Sequence, residues 1–146
     1  MTTKLMISVS LLLASIVAQA VGTLPQGRWK VTQIAYENNT DGNIETVVYD
    51  AVANMNSYIH FPQELEINDL QRVVLHYPNS LEDATGEYTL EDGQLLIKGT
   101  GIMQRYQYTL NDDMLSLTIV QRYEKNLPTG GVEQVVETWT MNLKKQ

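Results

Sequence analysis

The sequence predicts an all-β domain, an antiparallel up-and-down meander that closes into a barrel of about eight to ten strands. A pattern of strand, tight turn and strand occurs twice, over Tyr88–Ile97 and again over Tyr108–Leu117. Apolar and polar residues alternate along both copies, which is typical of strands with one buried and one solvated face. Short β-branched runs separated by Asn, Asp, Gly and Pro fill most of the remaining chain, and little of it favours helix.

The first copy predicts a hairpin with a known register. Asp92-Gly93 is typical of a two-residue type I′ turn, because both central residues of that turn need positive φ. The turn then pairs Leu90 with Leu95 and Tyr88 with Ile97, and these four side chains share one face.

The second copy predicts a similar hairpin around Asp112-Asp113. Two aspartates suit positive φ less well than Asp-Gly, so a longer loop is an alternative there. A two-residue turn would extend the pairing up to Ile102 opposite Tyr123. One face of the hairpin would then carry Ile102, Gln104, Tyr106, Tyr108, Leu110, Leu115, Leu117, Ile119, Gln121 and Tyr123.

The chain before these hairpins contains further strands. Gly27–Tyr36 reads as the first, but strict alternation places Trp29 and Val31 on one face and Ile34 and Tyr36 on the other. A β-bulge or a sharp bend would bring both pairs inside. The next strands are predicted over Ile44–Tyr49, Ser57–Phe61, Glu64–Ile67 and Gln71–Tyr77, and Asp50–Asn56 is predicted as either a helical turn or a loop over one barrel end.

The last strand is predicted over Val132–Leu143, after an exposed loop at Glu124–Gly131. Its apolar face carries Val135, Trp139, Met141 and Leu143. Glu137 interrupts that face.

The first 20 of the 146 residues are predicted to be a signal peptide. Lys4 precedes an apolar stretch over Leu5–Val17, and Ala18-Gln19-Ala20 is a small-x-small cleavage pattern. A membrane anchor is the alternative, but the stretch is shorter than the roughly 20 residues that a spanning helix needs. Residues 21–146 are therefore expected to form one domain, exported to the periplasm or the medium after cleavage near Ala20.

Composition excludes several classes of function. The chain has no cysteine, which rules out disulfides and thiolate metal sites and disfavours a lipid anchor. Its net charge of −7 argues against nucleic acid or an anionic membrane as partner. No nucleophile elbow or phosphate loop occurs, and His60 and His76 lie on different predicted strands without a carboxylate at ligand spacing. We therefore predict no enzymatic activity, no cofactor and no metal.

Three short motifs resemble a known family. Gly27-x-Trp29 opens the first strand, Tyr58-Ile59-His60-Phe61 follows, and Gly86-Glu87-Tyr88-Thr89-Leu90 begins a hairpin. Together they resemble the lipocalins, and more closely the small lipocalin-like domains that bacteria export. The resemblance implies that Gly27 and Trp29 close one barrel end and that Trp29 packs against an arginine from a late strand, for which Arg122 is the candidate. The chain departs from the family in having no disulfide and no clear helix before the last strand.

The predicted inner face suggests a binding site. Tyrosine rings with polar tips and glutamine amides suit a pocket for an apolar molecule that carries a few polar groups. The candidate ligand-binding residues are Tyr88, Gln104, Tyr106, Tyr108, Gln121 and Tyr123. The chain would then be an exported binding protein that holds a small lipophilic molecule inside the barrel.

Two alternatives to this site remain. The rings could lie at the rim with their hydroxyls in water. The barrel could also be packed solid and serve as a protein-interaction module, with contacts through Leu127–Gly131 and Asp50–Asn56.

Overall fold

A computed structural model describes residues 23–55, 61–79 and 81–146. Within them the chain is all-β, as predicted. The strands are β1 Gly27–Thr40, β2 Asn43–Tyr49, β3 Glu64–Ile67, β4 Arg72–His76, β5 Ala84–Glu91, β6 Gln94–Gly99, β7 Ile102–Asn111, β8 Met114–Asn126 and β9 Val132–Lys145, with a 3₁₀ turn at Val52–Asn54. Of the strand predicted over Ser57–Phe61, residues 57–60 lie outside the described residues, and Phe61 is not in a strand.

Eight of the strands close into an antiparallel barrel. Each strand from β3 to β8 pairs with the next along the chain, and β1 lies between β3 and β9 and so closes the ring. β2 is an extra strand that pairs with β1 over Ile34–Thr40. The predicted up-and-down barrel is therefore confirmed.

A β-bulge at Thr32 reconciles the two halves of β1. Val31 pairs with Leu143, and Gln33 pairs with the adjacent Asn142, so Thr32 is one extra residue in β1. Such an insertion reverses which side of the sheet the following residues face. Trp29 and Val31 before the bulge, and Ile34 after it, are all buried in the barrel core. Of the two predicted solutions, a β-bulge or a sharp bend, the structure has the bulge.

The hairpin registers follow the turn chemistry. Asp92 has φ 49° and Gly93 has φ 74°, and β5 pairs with β6 in the predicted register. The β7–β8 turn is also a two-residue turn, in which Asp112 has φ 53°. Leu110 pairs with Leu115 and Tyr108 with Leu117, as predicted.

The β7–β8 ladder is shorter than predicted. It ends at Gln107 opposite Thr118, and the upper half of β7 pairs with β6 only. The predicted pairs Tyr106–Ile119, Gln104–Gln121 and Ile102–Tyr123 are therefore wrong. Neighbouring strands of a barrel must be staggered to close it, so a strand can change its partner part-way along its length.

Strand directions define two ends of the barrel. The lower end holds Gly27, Ile67 and the turns after β5 and β7; the upper end holds Thr40, His76, Ala84 and Ile102. Four strand segments continue into the upper end as an extended sheet, in the order β2, β1, β9 and β8. We call this the upper sheet: residues 43–49, 34–40, 132–139 and 119–126.

The lower end is packed by side chains. Trp29 is fully buried and its Nε1 donates to the carbonyl oxygen of Pro25 at 3.0 Å. The amide of Leu24, also buried, donates to the Tyr88 hydroxyl at 3.2 Å. The segment before β1 therefore lies across this end, held by one indole and one phenol. In the described part of the chain, no helix combines the length and the apolar character needed to cross a membrane.

Candidate functional site

The upper end carries a buried carboxylate. Glu137 lies on β9 in phase with Val135, Trp139 and Met141, which are all buried. At 7% exposure it is the one buried charged side chain among the described residues. Because burial of a carboxylate is costly without hydrogen-bond donors, the groups around Glu137 decide what this end can do.

Hydrogen bonds connect Glu137 to the rim. The Tyr36 hydroxyl donates to Glu137 Oε1 at 2.7 Å, and Asn38 Nδ2 donates to the Tyr36 hydroxyl at 3.1 Å. Thr40 Oγ1 in turn donates to Asn38 Oδ1 at 2.7 Å. These β1 residues alternate onto one face, which turns inward because of the bulge at Thr32.

A second tyrosine reaches the same carboxylate from β8. The Tyr123 side chain hydrogen-bonds to Glu137, and Gln121 lies directly opposite Glu137 in the β8–β9 ladder. Partial burial raises the pKa of Tyr36; the bond from Asn38 opposes this and Glu137 adds to it. Burial also raises the pKa of Tyr123, and the Glu137 charge and hydrogen bond contribute in the same direction. Both phenols therefore stay protonated at neutral pH and act as donors to Glu137.

Aromatic rings line the site beside this network. The Trp139 ring lies 4.2 Å from Tyr36 and 5.4 Å from Phe61 between centroids, in tilted arrangements. The Nε1 atom of Trp139 is buried, and no acceptor reaches it among the groups that the structure describes. A buried indole N–H usually has a partner, so this donor is available to an acceptor that enters the site. We call the whole set the upper cluster: Tyr36, Asn38, Phe61, Gln121, Tyr123, Glu137 and Trp139.

A smaller polar group lies on the upper half of β7. The Tyr106 hydroxyl donates to Gln104 Oε1, and Gln104 also hydrogen-bonds to Tyr77. Burial raises the pKa of Tyr106 far above its usual range, and the neighbouring Tyr77 adds to this. These hydroxyls are therefore neutral hydrogen-bonding groups at an apolar wall.

The residues predicted to bind a ligand lie in four separate places. Gln121 and Tyr123 belong to the upper cluster, and Gln104 and Tyr106 form the group on β7. Tyr108 pairs with Leu117 lower in the barrel and is partly buried against its core.

Tyr88 does not share a site with the others. It lies at the lower end, where its hydroxyl accepts a hydrogen bond from the backbone N–H of Leu24. The barrel has a concave inner face, but the polar residues on that face are distributed along its whole length.

The predicted barrel-end pair does not form. Gly27 has φ 124° at the start of β1, and Trp29 fills the lower end. Arg122 is exposed on the opposite side of β8, paired with Val136 near the upper end. Alternation along β8 turns Arg122 outward, since Gln121 and Tyr123 face inward. The expected packing of Arg122 on Trp29 is therefore wrong.

His76 was expected to have no carboxylate at ligand spacing, but the fold brings two carboxylates into contact with its ring. His76 Nδ1 lies 2.8 Å from Asp83 Oδ2, and Nε2 lies 3.2 Å from Glu66 Oε2. Arg28 adds a cation 3.7 Å from the same Glu66 oxygen. Among the described residues, however, no group of three or more metal-ligating side chains is arranged to hold an ion. His60 lies outside the described residues.

Five residues of the upper cluster were not predicted as site residues: Tyr36, Asn38, Phe61, Glu137 and Trp139. The signal for Glu137 in the sequence was periodicity, since it is in phase with Val135 and Trp139. A charged residue in phase with an apolar face indicates a buried polar group. Glu137 is such a residue and does not merely interrupt the apolar face of β9. No family model, curated protein or solved structure matches this chain.

Proposed function

We propose that this protein is an exported, lipocalin-like binding protein, not an enzyme, which holds a small and mostly apolar molecule at the upper end of its barrel. The observation that carries the proposal is the Trp139 indole N–H, buried without an acceptor beside Tyr36 and Phe61. Aromatic walls with a few fixed polar groups are the usual composition of a small-molecule site.

The unpaired indole N–H of Trp139 favours ligand binding energetically. Leaving a buried donor unsatisfied costs about 1–3 kcal/mol, because the group has lost its water without gaining a partner. A ligand oxygen bonded to Trp139 Nε1 would recover much of that cost. Contact with the Tyr36 and Phe61 rings would add burial of apolar surface, at roughly 25 cal/mol per Å².

The charge of the site limits the ligand class. An anionic head group would approach Glu137, where like charges repel strongly because screening by solvent is weak. A fatty acid therefore fits poorly. The ligand that fits has an apolar body and a neutral acceptor, such as an alcohol, a ketone or an amide.

A displacement assay tests this proposal. N-phenyl-1-naphthylamine, a neutral apolar fluorophore, should bind saturably and be displaced by dodecan-1-ol more readily than by dodecanoate. Trp139→Phe keeps an aromatic ring and removes the N–H, so it should weaken dodecanol binding by about fivefold to tenfold, which corresponds to a bond of about 1 kcal/mol. Trp29→Phe is the matched control at the lower end and should leave the affinity unchanged.

Two results would contradict the proposal. One is that no neutral lipophile competes with the probe or produces a binding isotherm. The other is equal loss of affinity in both tryptophan variants, which would indicate a general effect on folding and not a site at the upper end.

The alternative function is a protein-interaction module with a packed barrel. It is favoured by the side chains that fill the lower half, where Trp29, Leu95, Leu115 and Leu143 are almost fully buried. In that case Trp139→Phe would have no effect on any small molecule, and partners would bind to the outer surface.

A further inference from the structure

The edge of the upper sheet is an exposed strand. Among the described residues, β2 pairs with β1 and with no other strand. Residues 43–48 are all exposed, with Ile44 at 60%, Val47 at 42% and Val48 at 57%. β-branched residues in such a position favour pairing with another strand.

The backbone of β2 presents its free hydrogen-bonding groups at alternate residues. Asp41 and Gly42 form a two-residue turn with positive φ at both, so Thr40 and Asn43 close the hairpin. A closing pair of this kind is hydrogen-bonded, and such pairs alternate along the ladder. The N–H and C=O groups of Ile44, Thr46 and Val48 therefore point away from β1.

We propose that β2 pairs antiparallel with β2 of a second copy of this chain, about a two-fold axis at Thr46. Thr46 is the central residue of the strand Asn43–Tyr49, so this register uses the whole strand. Thr46 then faces Thr46 of the second copy, and Ile44 faces its Val48. The axis passes midway between Thr46 and Thr46 of the second copy. Because Thr46 is one of the three outward-pointing residues, all three fall in hydrogen-bonded pairs.

The side chains match in this register. Ile44, Thr46 and Val48 form one β-branched face across the axis, which is a favourable set of cross-strand pairs. On the other face Glu45 lies opposite Val47 of the second copy, and the two Glu45 side chains are diagonal neighbours. Their mutual repulsion opposes pairing but is screened by salt.

β2 has little of the protection that natural edge strands carry. It contains no proline and no lysine, and its pairing with β1 shows no irregularity. A two-fold pairing of the two edges covers both and leaves no further site of this kind on β2, so it closes at the dimer. One strand pair buries less than the roughly 800 Å² per partner of a stable interface, so we expect a reversible, concentration-dependent dimer.

Cysteine cross-linking tests the register, since the protein has no cysteine of its own. Opposed Cα atoms of a hydrogen-bonded antiparallel pair are about 5.5 Å apart, within the range that a disulfide spans. Under mild oxidation Thr46→Cys should therefore form a covalent dimer by itself. Ile44→Cys and Val48→Cys should each do so slowly alone and at least tenfold faster when mixed.

Thr89→Cys is the matched control, because Thr89 is exposed and lies on β5, an inner strand of the barrel that pairs with both β4 and β6. Analytical ultracentrifugation of the purified protein should show a monomer–dimer equilibrium that Glu45→Gln strengthens and Val48→Lys abolishes. A strictly monomeric protein at millimolar concentration would overturn the proposal. So would cross-linking of Thr46→Cys at the rate of Thr89→Cys, or growth into open-ended oligomers.

Discussion

His76 shows how one side chain can connect three strand segments. Its two ring nitrogens form hydrogen bonds with the carboxyl groups of Asp83, before β5, and of Glu66 on β3, which also lies near Arg28 of β1. Burial lowers the pKa of His76, but the hydrogen bonds with Glu66 and Asp83 and the charges of Asp83 and Glu64 outweigh it, and the net pKa is raised. The folded state therefore holds this proton more tightly than the unfolded chain does.

The sign of the pH dependence follows from that shift. The contribution of His76 to the free energy of unfolding is fully present below its ordinary pKa of about 6.5, and it is lost as pH rises through the higher folded pKa. The free energy of unfolding of the wild type should exceed that of His76→Gln by up to about 1 kcal/mol at about pH 5.5. At about pH 9 this difference should be smaller. Urea denaturation at both pH values measures it. A difference independent of pH would show that the imidazolium is not what connects these strands.

At the scale of the strand, the β5–β6 pair depends on two facing glycines. Gly86 lies opposite Gly99, and a Cβ added at Gly99 would stand 2.3 Å from the carbonyl oxygen of Thr85. That atom is backbone within a ladder, so the strands would have to move apart. Gly99→Ala should lower the free energy of unfolding by about 1–3 kcal/mol, the usual cost of overpacking.

Gly131→Ala is the control for this prediction. A Cβ there meets only the Leu127 side chain, at 3.3 Å, and that side chain can shift. Its denaturation midpoint should change little. If both variants lose the same stability, steric contact between β5 and β6 is not the reason that Gly99 is a glycine.

Local elements were predictable where local chemistry decides them. The β5–β6 register followed from Asp92-Gly93, and the bulge in β1 followed from the change of phase between Val31 and Ile34. The end of the β7–β8 ladder at Gln107 was not predictable, because it is set by the stagger of the closed barrel and not by any nearby residue.

At the scale of the whole molecule, the two tryptophans report on opposite ends. Trp29 fills the lower end and Trp139 belongs to the upper cluster, and both pack into one continuous hydrophobic core. A single core of this size should unfold cooperatively. Trp29→Phe and Trp139→Phe each leave one tryptophan, which reports on one end of the barrel. In each variant we expect the unfolding transition followed by tryptophan emission to coincide with the one followed by circular dichroism. Separate midpoints by the two probes would instead show that the upper sheet opens independently of the barrel.

The candidate site was only partly predictable, because closure of the barrel brings its residues together from strands that are far apart in the sequence. The alternation of β8 correctly placed Gln121 and Tyr123 on the inner face, but their partner Glu137 comes from β9 and Tyr36 from β1. The contact between Tyr36 and Glu137 spans most of the chain, and it depends on the pairing of the first strand with the last. Neither a turn signal nor the pattern of a single strand contains that information.

The bulge at Thr32 decides which side chains of β1 face inward. With this one extra residue, a continuous strand presents its first half to the barrel core and its second half to Glu137. Were Thr32 paired regularly, without the bulge, Ile34 and Tyr36 would face the solvent while Ala35 and Glu37 turned toward the carboxylate. Four residues, an even number, lie between Val31 and Tyr36, so a regular strand would turn these two side chains to opposite faces. The bulge cancels that parity, an effect that no substitution at the site itself could reproduce.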